Sequence, residues 1–149
     1  MKSFLALVAL AALCNSAYSL REGTYKIRAL GADANKVLTE VPGQPEIVFD
    51  VASRHPGQTW NFELDPENAN YFLIQNILGA YINCESEGSL CTAGDEPTSY
   101  RPELVSEADK SYELVANGTG YFLRFAEGDK LKLAGYDQGV DQEFVFIKA

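Results

Sequence analysis

The chain has 149 residues, with 12 Lys and Arg against 21 Asp and Glu, which gives a net charge of −9. This length predicts one globular domain, because a chain of this size buries roughly two-thirds of its unfolded surface without cross-links. The acidic balance argues against a nucleic-acid partner, since phosphate backbones are bound by clustered Lys and Arg, and it argues equally against attraction to an anionic membrane surface.

The first 19 residues have the pattern of a secretory signal peptide. Lys2 gives a positive start, an apolar run follows at 4–14, and Ala17 and Ser19 are small residues at the −3 and −1 positions of a cleavage site. The apolar run is too short to cross about 30 Å of hydrocarbon. Cleavage after Ser19 would leave a single domain at 20–149 and shift the net charge to −10. We therefore expect a secreted, extracellular and monomeric protein.

Beyond residue 19, short runs of alternating apolar residues are separated by Gly, Pro, Asn and Asp, a pattern typical of an all-β barrel or sandwich. The segments 58–62, 100–104 and 142–146 begin 42 residues apart. Other short strands recur in threes, starting at Tyr25, Tyr71 and Tyr112, at Val37, Tyr81 and Tyr121, and at Ile47, Leu90 and Leu131. Three units of four strands predict a β-trefoil, and we expect the repeated aromatic and Leu residues, Trp60 included, to be core.

Two cysteines remain after cleavage, because Cys14 lies in the signal peptide. Cys84 and Cys91 flank a polar turn at 85–90, and an even number of cysteines in an oxidising compartment predicts a disulfide bond. A redox or zinc pair needs closer spacing. The loop is short, so we expect the bond to stabilise the fold by about 2–3 kcal/mol.

Asn117 begins Asn-Gly-Thr, an N-glycosylation acceptor that is expected to lie on an exposed turn.

Catalytic signals are weak. His55 is the single histidine, Ser53 lies two residues before it, and no G-x-S-x-G elbow is present. The carboxylate pairs fall in turn-rich stretches, and neither a phosphate-binding loop nor an EF-hand spacing occurs. We expect a protein that is not an enzyme and that uses no metal and no cofactor.

The segment 23–27 resembles the G-x-Y-x-I opening strand of trefoil proteins, and 58–60 resembles the Q-x-W motif of ricin-type lectins, with a conservative variant at 142–144. Nearly all of 20–149 also resembles the fungal β-trefoil peptidase inhibitors, the mycocypins and mushroom trypsin inhibitors, through this start, the second-unit segment 71–76 and the aromatic ends of the outer units. The chain departs from these families in two ways, since its middle unit lacks Q-x-W and it carries a signal peptide.

The resemblance implies inhibition of a cysteine or trypsin-like peptidase by loops of the first unit. A rigid loop held extended by the barrel would bind with little loss of conformational entropy. Two prolines stiffen the first candidate segment, and an exposed Arg in the second would suit a trypsin-like pocket. The candidate residues are Val41, Pro42, Gly43, Gln44 and Pro45 in one loop, and Arg54 and His55 in the other.

The alternative is a carbohydrate-binding lectin of the ricin type. Such sites place an Asp shortly after the first apolar residues of the second strand in each unit. Here Thr39, Asn83 and Arg124 occupy the matching positions, and only Asn83 has a comparable side chain. A third hypothesis is a secreted interaction or effector protein. The expected partner is therefore an extracellular peptidase or a glycan, with inhibition as the main hypothesis.

Overall fold

The computed structural model describes residues 20–149, so the predicted signal peptide at 1–19 lies outside the described residues. This part of the chain consists of strands, turns and two short 3-10 helices, Pro56–Gln58 and Val140–Gln142. In chain order the strands are β1 (Gly23–Ala29), β2 (Lys36–Thr39), β3 (Val48–Val51), β4 (Trp60–Leu64), β5 (Phe72–Asn76), β6 (Tyr81–Asn83), β7 (Thr92–Gly94), β8 (Ser99–Ser106), β9 (Ser111–Ala116), β10 (Phe122–Ala126), β11 (Lys130–Ala134) and β12 (Phe144–Lys148).

Six of these strands close into an antiparallel barrel. Strand β1 pairs with β4, β4 with β5, β5 with β8, β8 with β9, β9 with β12, and β12 again with β1. The other six form the hairpins β2–β3, β6–β7 and β10–β11. Closure leaves the barrel without a free edge. The predicted twelve-stranded β-trefoil is confirmed, and the alternative of a two-sheet sandwich is wrong.

The three hairpins meet at one end of the barrel. They bond to one another through the residues just before β3 and β7 and through β11. The Ile47 N–H donates to Cys91 O (3.1 Å), and the Cys91 N–H donates to Leu131 O (2.7 Å). All three side chains are at most 1% exposed. The predicted disulfide between Cys84 and Cys91 is present, so it links the end of β6 to this buried contact.

The register across the barrel shows which residues are equivalent in the three units. Trp60, Tyr100 and Phe144 each lie opposite an aromatic residue of the preceding barrel strand, and each is at most 2% exposed. Trp60 Nε1 donates to Leu38 O (3.0 Å), and the Tyr100 hydroxyl donates to Ile82 O (2.7 Å). The same bond therefore joins barrel to hairpin in two units, and Trp60 is a core residue as predicted.

The repeat of 42 residues holds on average over the three units, but the middle unit is offset by two residues. Tyr100 matches Trp60 rather than Gln58, so the equivalent aromatic residues are 40 and 44 residues apart. The reason lies in the connection before the barrel strand. A 3-10 turn precedes β4 and β12, whereas the second unit reaches β8 through a bend without one, which shortens that unit.

Aromatic rings fill the barrel interior around Phe62. Its ring centroid lies 5.1 Å from Tyr25, 5.0 Å from Phe146 and 6.0 Å from Phe72, at angles typical of tilted or edge-to-face pairs. The aromatic ends of the units are thus packing residues. Within residues 20–149, no helix has the length and apolar character needed to cross a membrane.

Candidate functional site

Two buried glutamines tie the loops that follow β3 and β11 to the barrel. Gln58 donates through Nε2 to Val51 O (2.9 Å) and accepts at Oε1 from the Ser53 N–H (2.7 Å). Gln142 makes the corresponding pair of bonds in the third unit, at 2.7 and 3.1 Å. Both side chains are at most 1% exposed. The Q-x-W resemblance therefore marks a structural device that fixes one loop beside its hairpin.

The position where a ricin-type site is expected to carry Asp lies beside these loops. Thr39, Asn83 and Arg124 occupy it, each following a buried Leu or Ile of the second strand of its unit. The neighbouring loop differs between the units, so the three positions have different surroundings.

In the second unit, the Asn83 side chain is bonded to its own loop. Its Nδ2 donates to Glu96 O (2.9 Å) and Thr98 Oγ1 (3.3 Å), and its Oδ1 accepts from the Glu96 N–H (3.3 Å). A Cβ on residue 94 would overlap the Asn83 amide oxygen, so a larger residue than Gly94 would displace the Asn83 side chain. Sugar binding by Asn83 stays a prediction, and it would require these bonds to be exchanged.

In the third unit, Arg124 lies between two carboxylates. Its Nη1 forms an ion pair with Asp137 Oδ2, and its Nη2 lies 3.6 Å from Asp141 Oδ2. Tyr136 is 54% exposed next to this cluster along the chain, and its ring centroid is 5.2 Å from that of Phe122. The carboxylates that could accept sugar hydroxyls are here occupied by the cation of the protein itself.

In the first unit, the equivalent position borders an open cavity of about 160 Å³. Thr39 is buried and donates to Val37 O (2.8 Å). The cavity collects residues from two loops that are separate in the chain, including three of the predicted inhibitory residues. Its lining residues are Thr39, Val41, Pro42, Asp50, Ser53, His55 and Gln58.

Asp50 supplies the carboxylate that β2 lacks, and the ricin-type pattern does not predict it because it places the Asp on the second strand of the unit. It lies opposite Val37 in the β2–β3 hairpin and is exposed, whereas its neighbour Phe49 is buried. Its Oδ1 accepts from the Val51 N–H (2.8 Å), and Oδ2 has no partner within residues 20–149. The available signal was the alternation in β3, which places residue 50 on the face opposite the core.

His55 caps the 3-10 helix that precedes β4. Its Nδ1 accepts from the Gly57 N–H (3.0 Å), and its backbone N–H donates to Ser53 Oγ (3.1 Å). Because Nδ1 is the acceptor, the neutral ring carries its proton on Nε2 and can offer that N–H as a donor. His55 therefore has a structural role at one nitrogen and a free donor at the other.

The remaining predicted inhibitory residues lie outside the cavity. The segment from Val41 closes as a tight turn, since the Gln44 N–H donates to Val41 O (3.0 Å) and Gly43 has φ +86°. Pro45 O accepts from the Ala93 N–H (3.0 Å), which pins the far end. Gly43, Gln44, Pro45 and Arg54 are exposed. The segment is therefore a hydrogen-bonded turn at 41–44 rather than an extended loop.

Residues 20–149 contain no cluster of metal-ligating side chains. Among residues 20–149, no three or more His, Cys, Asp and Glu side chains are placed to hold an ion together.

Comparison with known proteins finds no matching family model and no matching curated protein. Solved structures do match. The Macrolepiota procera ricin B-like lectin in complex with lactose is 17% identical with a TM-score of 0.73, and the match covers 88% of this chain and 99% of the lectin. The Rhizoctonia solani agglutinin is 16% identical with a TM-score of 0.74, covering 88% and 98%.

A designed threefold-symmetric protein, ThreeFoil, is 19% identical with a TM-score of 0.71, and the match covers 85% of this chain and 99% of the design. At identities this low, the structural likeness establishes the β-trefoil fold and its threefold arrangement. Several of these neighbours are named as lectins or agglutinins, and a likeness at this identity shows their shared fold alone.

Proposed function

We propose that this protein is a carbohydrate-binding lectin whose binding site is the cavity of the first unit. The observation that carries the proposal is the difference between three equivalent positions in residues 20–149. Asn83 is bonded to its own loop and Arg124 to two carboxylates, whereas Thr39 borders an open cavity. A ligand can enter the first position without displacing a bonded side chain.

The groups around this cavity suit a ligand that carries several hydroxyl groups. The Asp50 carboxylate accepts and the His55 Nε2–H donates. The Ser53 hydroxyl accepts from the His55 N–H (3.1 Å) and donates to Gln58 Oε1 (3.4 Å), and it keeps acceptor capacity for a ligand. Pro42 and Val41 add an apolar wall, and small-molecule sites commonly combine such a wall with a few converging polar groups. The volume of about 160 Å³ suits a single sugar ring rather than a long chain.

The solved neighbours suggest the first ligand to try. The Macrolepiota procera lectin was solved with lactose, and another neighbour, SeviL, was solved with the asialo-GM1 saccharide. We therefore propose a neutral glycan as the partner of an exported, monomeric and non-enzymatic protein, and we choose lactose as the first probe.

A glycan array followed by calorimetric titration tests the proposal. D50N should lower the affinity for the array's best glycan by about tenfold to a hundredfold, because a hydrogen bond to a charged group is lost. D95N makes the same chemical change at an exposed Asp outside the cavity and should leave the affinity unchanged. Binding to no glycan, or D50N binding as tightly as the wild type, would contradict the proposal.

Peptidase inhibition stays the competing prediction. The turn at 41–44 does not offer the extended backbone that a peptidase accepts, so we expect cysteine and trypsin-like peptidases to keep full activity at micromolar excess of this protein. Inhibition that Q44A or R54A weakens would instead restore the inhibitor hypothesis. A protein that binds neither glycan nor peptidase would be left with the third hypothesis, a secreted interaction protein.

A further inference from the structure

A second, larger cleft lies away from the proposed sugar site. Its volume is about 530 Å³, and it lies between the turn at 65–68, which follows β4, and the turn that begins at Asn117 after β9. Ser99 and Thr119 also line it. Its lining residues include no Lys or Arg, so the cleft offers acceptors and small apolar surfaces without a cation. Those properties favour a neutral ligand with many hydroxyl groups.

The N-glycosylation acceptor lies on the rim of this cleft. Asn117 is exposed, its backbone N–H donates to Ser99 O (3.1 Å), and its Nδ2 donates to Ser99 Oγ (3.1 Å). Ser99 is only 5% exposed. Nδ2 is the atom that carries the sugar in an N-linked glycan, and here it is held against the lining of the cleft.

We propose that Asn117 carries an N-linked glycan whose first sugar lies in this cleft. In the transfer, a bond forms between Asn117 Nδ2 and the sugar C1, and the bond between C1 and the diphosphate of a lipid-linked oligosaccharide breaks. Nδ2 loses one proton, and the lipid diphosphate leaves. The modified nitrogen keeps one hydrogen, so the bond to Ser99 Oγ can persist.

The opposite wall provides partners for that sugar. Asp65 accepts from Asn68 Nδ2 (2.9 Å) and from the Glu67 N–H (2.9 Å), one bond on each carboxylate oxygen. These bonds, the one from Asn68 first, lower the pKa of Asp65, so the carboxylate stays ionised throughout the neutral range. Each oxygen keeps further acceptor capacity for sugar hydroxyls.

The experiment compares this glycan with the same acceptor placed elsewhere. The wild type and the variant N117Q/Q138N/V140T are secreted from a eukaryotic host, and the variant moves the Asn-Gly-Thr acceptor to the exposed loop after β11. Both folded proteins are then treated with a peptide-N-glycosidase, and release is followed by mass spectrometry. We expect release from Asn117 to be about tenfold slower than from the relocated acceptor, the factor that one or two net hydrogen bonds supply.

A further measurement keeps the outcome decisive if the relocated variant fails to fold. Release from denatured wild type should also exceed release from folded wild type by about tenfold. The proposal fails if secreted wild type carries no glycan at Asn117. It also fails if folded and denatured wild type release the glycan at the same rate.

Discussion

The loops that follow β3 and β11 are each held by a buried glutamine, but the side chains beside the two loops differ. In each loop a buried glutamine bonds a carbonyl oxygen and an N–H of the loop at nearly the same distances. The first loop leaves Asp50 and His55 beside an open cavity. In the third unit, Arg124 binds two carboxylates at the corresponding place. The hydrogen bonds that hold the loop are therefore repeated in both units, whereas the side chains at the candidate site are not.

This difference shows at which positions the side chains of a threefold fold can change without disturbing the packing of its core. Both glutamines are buried and bond mainly to main-chain atoms, with one further contact from Ser53 Oγ to Gln58 Oε1 (3.4 Å), so the support depends little on the neighbouring side chains. Residues such as Asp50 and Arg124 lie on the outer face of their hairpins, where substitution leaves the packing of the barrel unchanged. Binding can thus be confined to one unit of a symmetric scaffold.

The largest expected effect tests the shared support. Q58A and Q142A each remove two hydrogen bonds and leave main-chain partners unsatisfied, so each should lower the free energy of unfolding by about 2–3 kcal/mol in urea titrations. Q58A should also weaken binding of the glycan found on the array, whereas Q142A should not. If Q142A weakened glycan binding as much as Q58A, the assignment of the site to the first unit would be wrong.

A smaller effect is expected from the ion pairs that fill the third unit. R124M removes the cation between Asp137 and Asp141, whose side chains are 36% and 40% exposed. We expect the free energy of unfolding to fall by less than about 1 kcal/mol, and the loss to fade in high salt. R54M changes an exposed Arg in the equivalent loop of the first unit and serves as the control. A loss of several kcal/mol in R124M would show that the cluster supports the loop.

The smallest effect concerns two carboxylates that face each other across paired strands. One of them, Glu103, is ion-paired with Arg101. Glu113 on β9 lies directly opposite Glu103 on β8. Burial first, then the charges of Glu103 and Glu143, raises the pKa of Glu113. A raised pKa in the folded state means that ionisation of Glu113 destabilises the fold above this pKa. Stability from this group therefore increases as pH falls through the folded pKa towards the unfolded value.

E113Q should accordingly stabilise the protein at neutral pH by a few tenths of a kcal/mol, the size of a like-charge pair across strands. The gain should vanish at low pH, where Glu113 is protonated in both states. Thermal unfolding at several pH values measures it, with E107Q in the exposed β8–β9 turn as the control. A gain that persisted at low pH would point to packing rather than charge.

The sequence predicts the parts of this molecule that depend on local pattern. Alternating apolar residues and Gly- or Pro-rich turns predicted the strands, the even cysteine count predicted the Cys84–Cys91 bond, and repetition predicted the trefoil. The middle-unit alignment was off because a single 3-10 turn is missing before β8. The presence or absence of that turn does not change the alternation of apolar residues within the strands. The alternation alone therefore could not show that the middle unit is offset by two residues.

Tertiary structure decided what surrounds each of the three equivalent positions. Thr39, Asp50 and His55 are separated by strands and turns in the chain, and they meet only because β2 pairs with β3 and Gln58 folds the following loop back. The contacts of Arg124 in the third position and of Asn83 in the second likewise depend on loop geometry. The pattern of a strand depends on residues that are adjacent in the sequence, whereas the candidate site is formed by residues that are far apart in the sequence. The sequence by itself therefore determined the barrel and its core, whereas the location of the candidate site required the fold.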